Sequence, residues 1–247
     1  MTDARLGQEE LDALWDFDRP YASEQRFREA ENTVGRTETS RAELTTQRAR
    51  ALGLQERYDE ADELLDSIPE LGPLVAARVA LERGRLQRSS GDPAAAVPYF
   101  LAALDAAREA GSPFLATDAL HMLVLADPTA ADHWTRLALV ELRDVEDRRT
   151  QQWQVALHNN LGWHHLDAEH PAAALEEFAA ALVAAREYGT SDQSFAGEWA
   201  VAHCLRTLGR PEEARAILIR LATERPDDPQ VAAEIAALTD AAPTIEE

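Results

Sequence analysis

Small and large apolar positions recur along this chain with the period of an α-helix. Ser23, Ala61, Ala96, Ala131, Ala174 and Ala214 are small, and each is followed four and seven positions on by a second and third core-type residue. These are Phe27/Ala30, Leu65/Ile68, Phe100/Ala103, Thr135/Ala138, Phe178/Ala181 and Leu218/Leu221. Steps of four and seven keep all three residues on one stripe of a 3.6-residue helix. Twelve positions before the anchors stand Leu11, Ala49, Gly84, Ala119, Gly162 and Ala202. All but Leu11 are small enough to admit a neighbouring helix at close range. The pattern therefore predicts pairs, a helix A carrying the upstream small residue and a helix B carrying the anchor.

Proline sets the start of helix B. Pro20, Pro93, Pro128, Pro171 and Pro211 lie three residues before their anchors, with Tyr58 in that place in the second unit. Proline suits the first turn of a helix, where its missing N–H has no partner to lose. Asp92 and Asp127 precede two of these prolines and are candidate N-caps. The anchors are 38, 35, 35, 43 and 40 residues apart, room for two helices and two short turns but not for a sheet. Short turns make each pair antiparallel, and a lone pair cannot bury its stripe, so the pairs must stack. The expected architecture is all-α, a right-handed α-solenoid of about six hairpins in a single domain over 1–240. The hairpins fall near 8–33, 37–68, 73–110, 113–143, 151–188 and 193–224. A capping helix is expected over 228–239, apolar at Val231, Ile235 and Leu238, and a loose tail over 241–247. The first unit, with its short helix A, and the fourth, with Thr135 in place of a large apolar residue, depart from the pattern.

Leu161-Gly162-Trp163 with Ala174 and Phe178, Tyr58-Asp59-Glu60-Ala61, and Leu208-Gly209-Arg210-Pro211 with Ala214 and Pro226 resemble the tetratricopeptide repeat family over roughly residues 8–226. The 40- and 43-residue spacings look like the extended repeats of bacterial peptide-sensing and regulatory proteins. Trp15-Asp16-Phe17-Asp18 and the segment His158 to Trp163 are similar to stretches of actinobacterial members. The resemblance implies a concave surface built mainly from helix A, at positions 18, 15, 14, 11 and 8 before each anchor. Those positions give Thr46, Gln47 and Arg50; Arg78, Glu82, Arg85 and Arg88; Ala116, Thr117, Leu120 and Leu123; Asn159, Asn160 and Trp163; and Trp199, His203 and Arg206.

A fold alone does not specify function, so the chemistry of this face matters. Arg50, Arg78, Arg85, Asn159, Asn160, Trp163, Trp199, His203 and Arg206 are the candidate partner-binding residues. Arginine can grip a carboxylate in a bidentate fork, asparagine can hold a peptide backbone, and tryptophan offers a rigid apolar anchor. The set suits a protein or peptide partner, acidic or carboxylate-bearing. The competing reading is that Arg78–Glu82 and Glu82–Arg85 are ordinary intrahelical pairs. Binding through the groove predicts that Trp163→Ala or Arg85→Glu abolishes partner capture without altering helicity. A regulatory sensor of a peptide or small ligand, acting through a partner protein, is the alternative. The lysine and arginine clamp of the family's co-chaperone branch is not expected, because Ala196 and Ala200 occupy places where basic residues would be wanted.

Charge narrows the partners further. The 247 residues carry 45 acidic and 24 basic side chains, a formal charge of −21, and every basic one is arginine. Such a surface repels phosphate backbones and anionic headgroups, so neither nucleic acid nor membrane is an expected partner. No basic, apolar leader-like run opens the sequence, and a cytoplasmic location is expected. The single cysteine, Cys204, lies in an apolar stretch and is expected to be a buried, inert thiol. His158, His164, His165 and His170 lack the i,i+3 or i,i+4 spacing that brings metal ligands to one side of a helix. No phosphate loop, nucleophile elbow or zinc-protease motif is present. The chain is therefore expected to act without cofactor or metal, and not as an enzyme.

Overall fold

The computed structural model of the chain describes residues 6–240, and the tail expected over 241–247 lies outside them. The described residues are all-α. Their contacts divide into two compact units that meet between Ala130 and Ala131. In the first unit, α1 (Gln8–Leu14) pairs with α2 (Pro20–Glu31), α3 (Glu38–Gly53) with α4 (Tyr58–Asp66), and α5 (Pro73–Ser89) with α6 (Pro93–Glu109). It ends in α7 (Pro113–Ala126) and a 3-10 turn (Pro128–Ala130). The second unit contains α8 (Ala131–Glu141), α9 (Arg148–Gln151), α10 (Trp153–Asp167), α11 (Pro171–Tyr188), α12 (Ser191–Thr207), α13 (Pro211–Glu224) and α14 (Pro229–Asp240). Each unit is a stack of helical hairpins, the arrangement of an α-solenoid.

The anchors explain the stacking. Ser23, Ala61, Ala96, Ala131, Ala174 and Ala214 are all buried, as are Phe27, Leu65, Phe100, Thr135, Phe178 and Leu218 one turn on. Burying a Phe or Leu side chain contributes roughly 1.5–3 kcal/mol, so this one stripe is a main source of stability. In the first unit Leu11, Phe27, Ala30 and Leu44 close the first hairpin onto α3, while Ala49, Leu52, Ala61, Leu65 and Leu86 join the second to α5. In the second unit Ala202, Leu205, Ala214, Leu218 and Leu221 form a core that Val231 and Leu238 of α14 complete. The last helix thereby covers an apolar face that the α12–α13 hairpin could not bury by itself.

Helix ends follow the sequence closely. Proline opens α2, α5, α6, α7, α11 and α13, and Asp92 caps α6 by accepting from the Ala95 N–H at 2.9 Å. Asp127 instead accepts from the Thr129 hydroxyl at 2.6 Å. Five residues before the anchor the backbone turns left-handed in four repeats, at Glu56, Gly91, Glu169 and Gly209. There the next N–H reaches back five residues to close helix A, as from Arg57 to Leu52 and Arg210 to Leu205. The extra length between Ala131 and Ala174 is taken up by α9, capped by Asp147.

Gly84 and Gly162 let helix B approach helix A. A Cβ at Gly84 would lie 2.4 Å from the Phe100 ring, and one at Gly162 would lie 2.7 Å from Phe178. Gly84→Ala should therefore destabilise by about 1–3 kcal/mol through overpacking, and Gly84→Ala with Phe100→Leu should recover part of the loss. Denaturant melts of the three proteins measure both effects.

Candidate functional site

In the first unit the helix A face carries a chain of ion pairs that bridges successive repeats. Arg78 of α5 donates from Nε to Glu43 Oε2 of α3 at 3.0 Å, with both side chains buried. Arg85 of α5 donates to Glu82 one turn back and to Asp118 Oδ1 of α7 at 2.5 Å. Burial pulls the Asp118 carboxyl up, but the Arg85 and Arg50 charges outweigh it and hold the group below the usual range. At Glu82 burial wins and the carboxyl is raised. Glu82 is 2% exposed, and its Oε2 accepts no hydrogen bond. His121, on the same helix as Asp118, is pushed down to about 4 by burial, against the pull of Asp118.

Arg50 of α3 differs from its neighbours. Among the described residues no carboxylate lies within ion-pair distance of it, although Glu82 and Asp118 act on its charge, and its guanidinium lies 5.4 Å from the ring centroids of both Trp15 and Phe17. Those rings stack on each other at 4.6 Å, and Trp15 meets Phe27 edge-on and donates to Gln47 Oε1 at 3.1 Å. The α1–α2 turn is thus fastened to α3 beneath the Arg50 side chain. Burial and the Arg85 charge lower the Arg50 guanidinium from its ordinary value. Arg50, Glu82, Arg85 and Arg88 line a cleft of about 180 Å³ floored by Leu86 and Met122.

The second unit gathers aromatic rings on the corresponding helices. Trp163 of α10 packs edge-on against Phe178 at 5.0 Å and lies 6.2 Å from Trp199 and 5.5 Å from His203, both of α12. His203 stacks on Trp199 at 5.3 Å. Its Nδ1 meets Glu234 Oε1 of α14 at 2.8 Å, and Arg206 holds the same carboxylate from Nε at 2.7 Å and Nη2 at 3.1 Å. Burial raises the Glu234 carboxyl, but bonds from Arg206 and His203 more than offset this and keep it below its usual range. The Trp199 Nε1–H is buried with no acceptor. Asn159 is half-buried one turn before Trp163, and Asn160 adjoins it.

The candidates from the sequence therefore fall into two groups, one per unit. Arg50, Arg78 and Arg85 share the first, and Trp163, Trp199, His203 and Arg206 meet in the second. The expectation that the arginines lie open to a ligand is revised for Arg78, Arg85 and Arg206, which are held by Glu43, by Glu82 and Asp118, and by Glu234. Glu82–Arg85 is the intrahelical pair foreseen, whereas Arg78 reaches across to α3. Sequence reasoning missed Asp118, His121 and Glu234. It also missed a groove of about 620 Å³ lined by Ile68, Leu71, Val75, Val79 and Tyr99. That groove opens where the nine-residue α4 stops short of Pro69, while α6 runs for 17 residues. Cys204 is buried and donates its thiol to the Pro171 carbonyl at 3.1 Å, and burial raises its pKa. Among the described residues no group of three His, Cys, Asp or Glu is placed to hold a metal ion, and no helix is long and apolar enough to cross a membrane.

No family model and no curated protein matches this sequence. Solved structures do match its fold. BtubC (BKLC) from P. vanneervenii superposes with a TM-score of 0.61 at 14% identity, over 94% of this chain and 96% of that one. The apo form of the quorum sensor NprR from B. thuringiensis gives 0.58 at 12% identity, over 91% of this chain and 64% of NprR, so the chain spans less than two thirds of NprR. The fold is a tetratricopeptide-like helical repeat.

Arg85→Glu is consequently no clean probe of binding. It sets a third carboxylate between Glu82 and Asp118, and breaking such a buried pair costs about 3–5 kcal/mol. A fall of that size in a urea melt is expected. His121 gives a pH signature. Because its folded pKa lies below the unfolded one, the unfolded chain binds the extra proton. Its contribution is fully present above about 6.5 and is lost as pH falls toward about 4. The slope of stability against pH in that window should be shallower in His121→Asn than in the wild type, and equal slopes would refute the assignment.

Proposed function

We propose that this protein is a non-catalytic, cytoplasmic scaffold that binds a peptide or protein segment along its helix A face, with Trp163, Trp199 and Asn159 as the principal seat. The observation carrying this reading is the cluster of two indoles and an imidazole, fastened by Glu234, with a buried indole N–H that has no acceptor. Rigid aromatic surface contributes much of the energy at protein interfaces at small entropic cost, and a peptide carbonyl is the natural acceptor for an indole N–H. NprR, similar in fold, is a quorum sensor with a cognate peptide, NprX, which supports a peptide as the class of ligand.

A regulatory sensor of a peptide or small ligand, acting through a partner protein, is the second reading. It is favoured by Arg50, a guanidinium on the helix A face of the first unit that among the described residues has no carboxylate within ion-pair distance, suited to an acidic or carboxylate-bearing ligand.

Trp199→Phe removes the N–H while keeping most of the packing, and Asn159→Ala removes the amide. Each should weaken partner capture from the native cell about tenfold, equivalent to ~1.4 kcal/mol, with the chain still folded and helical by circular dichroism at the temperature of the assay. Undiminished capture by both variants would sink the aromatic seat.

A further inference from the structure

The groove of about 620 Å³ in the first unit lies on the side of α5 away from Arg78, Glu82 and Arg85, where one repeat lacks part of its helix B. Eleven positions after the anchor, Ala107, Leu142 and Ala185 are buried in the third, fourth and fifth repeats. The same position in the second repeat is Gly72, already turning into α5 with a φ of 92°. Pro69 cannot continue α4 and disfavours helical backbone at Ile68, so the helix ends at Asp66 after nine residues, against 17 in α6. The missing length is about 12 Å of helix. The apolar walls beside that gap, Ile68, Leu71, Val79, Ala80, Tyr99 and Ala106, are only half-buried. The rim is acidic, with Asp66, Glu70 and Glu109 along it, and the lining arginine, Arg83, is held by Asp66 and Asp62. Glu70 and Glu109 are exposed and have no ion-pair partner among the described residues.

We propose that this groove docks a short amphipathic helix of a partner protein, its small apolar residues on Val79, Tyr99 and Ala106 and its flanking arginines or lysines facing Glu70 and Glu109. Shape selects a helix, because in other repeats the last turns of helix B occupy this place. The α5 and α6 walls bond their backbone groups within their own helices, so an extended segment between them would leave its N–H and C=O groups unanswered, whereas a helix satisfies its own. Charge selects the partner's flanks. A fatty acid or phospholipid has the apolar chain but would bring an anionic head to Asp66, Glu70 and Glu109. A second copy of this chain, at a formal charge of −21, is repelled by the same field. Basic flanks are instead drawn to the two carboxylates left without a cation, which also sets the direction in which the helix lies. The groove shares no residue with the aromatic seat or the Arg50 cleft, so this docking and peptide binding on the helix A face can fail separately. With both, the scaffold joins two partners rather than holding one.

A library of displayed random peptides about 14 residues long, ~21 Å as a helix, selected on the purified full chain and counter-selected on Ala76→Trp, tests the assignment. Ala76 is exposed in the groove, so the indole fills the space without touching the core. Recovered sequences should carry apolar residues at three- and four-residue spacing flanked by arginine or lysine, and should gain helicity by circular dichroism on binding. For the tightest of them, Glu70→Arg together with Glu109→Arg should weaken binding at least tenfold, and both positions are exposed enough to be changed with the fold intact. Acidic or non-helical sequences, affinity indifferent to the double charge reversal, or failure to recover any peptide that Ala76→Trp excludes would overturn the proposal.

Discussion

The close approach of helix B to helix A, ring against small residue, is the constraint from which the other features follow. Phe100 lies where a Gly84 side chain would be, and Phe178 where a Gly162 side chain would be. A contact this short leaves little freedom in rotation or rise between the two helices, since a dense interior resists even a methylene of change. Once helix A is fixed against its own helix B, the residues on its opposite face are fixed in register as well. That register is what allows Arg85 of one repeat to meet Asp118 of the next, and Trp163 to meet Trp199.

The bridging ion pairs hold orientation more than they add stability. Taking Arg78, Glu43, Arg85, Glu82 and Asp118 out of water is costly, and well-packed apolar residues could stabilise the same space as well or better. What the ion pairs add is direction, since each fixes the line between two named atoms on neighbouring helices. Arg78–Glu43 ties α5 to α3, Arg85–Asp118 ties α5 to α7, and Arg206–Glu234 ties α12 to α14. Each links helices of successive repeats, not the two members of one hairpin. Packing holds each hairpin and joins it to the next, and the directional bonds set the register between successive repeats.

The fold class was legible because it rests on local periodicity. A residue four or seven positions from Ala96 can be only on the same helical stripe, and proline three positions before an anchor can start a helix but hardly continue one. The chemistry of the inner face was legible only in part. Arg50, Arg85, Trp163 and His203 stand at the same place, eleven before their anchors, and the face they share could be read off by counting. Whether a given arginine is free could not, because its partner lies in another repeat. One signal was available: Glu43 and Arg78 both stand eighteen before their anchors, so opposite charges occupy one register in adjacent units. Asp118 and His121 stand thirteen and ten before Ala131, between the positions inspected, and enter the network through their own place on α7. Nothing in the periodicity sets where the α1–α2 turn lies, so the rings beneath Arg50 were out of reach.

The two units handle the inner face with different chemistry, and physical reasons separate them. In the first, cations and carboxylates are paired across repeats, Arg78 with Glu43 and Arg85 with Glu82 and Asp118, while Arg50 and Arg88 border one cleft. An ionic face of this kind keeps its specificity in hydrogen-bond directions, and what it leaves unmatched defines what it can accept. In the second, the aromatic rings supply broad apolar area, and one carboxylate, Glu234, fixes the ends of two side chains. Such a surface discriminates by shape more than by charge, because it presents apolar area with few directional groups. Selectivity should therefore reside in the first unit and contact area in the second, and a residue's place along the chain would set which of the two its replacement disturbs.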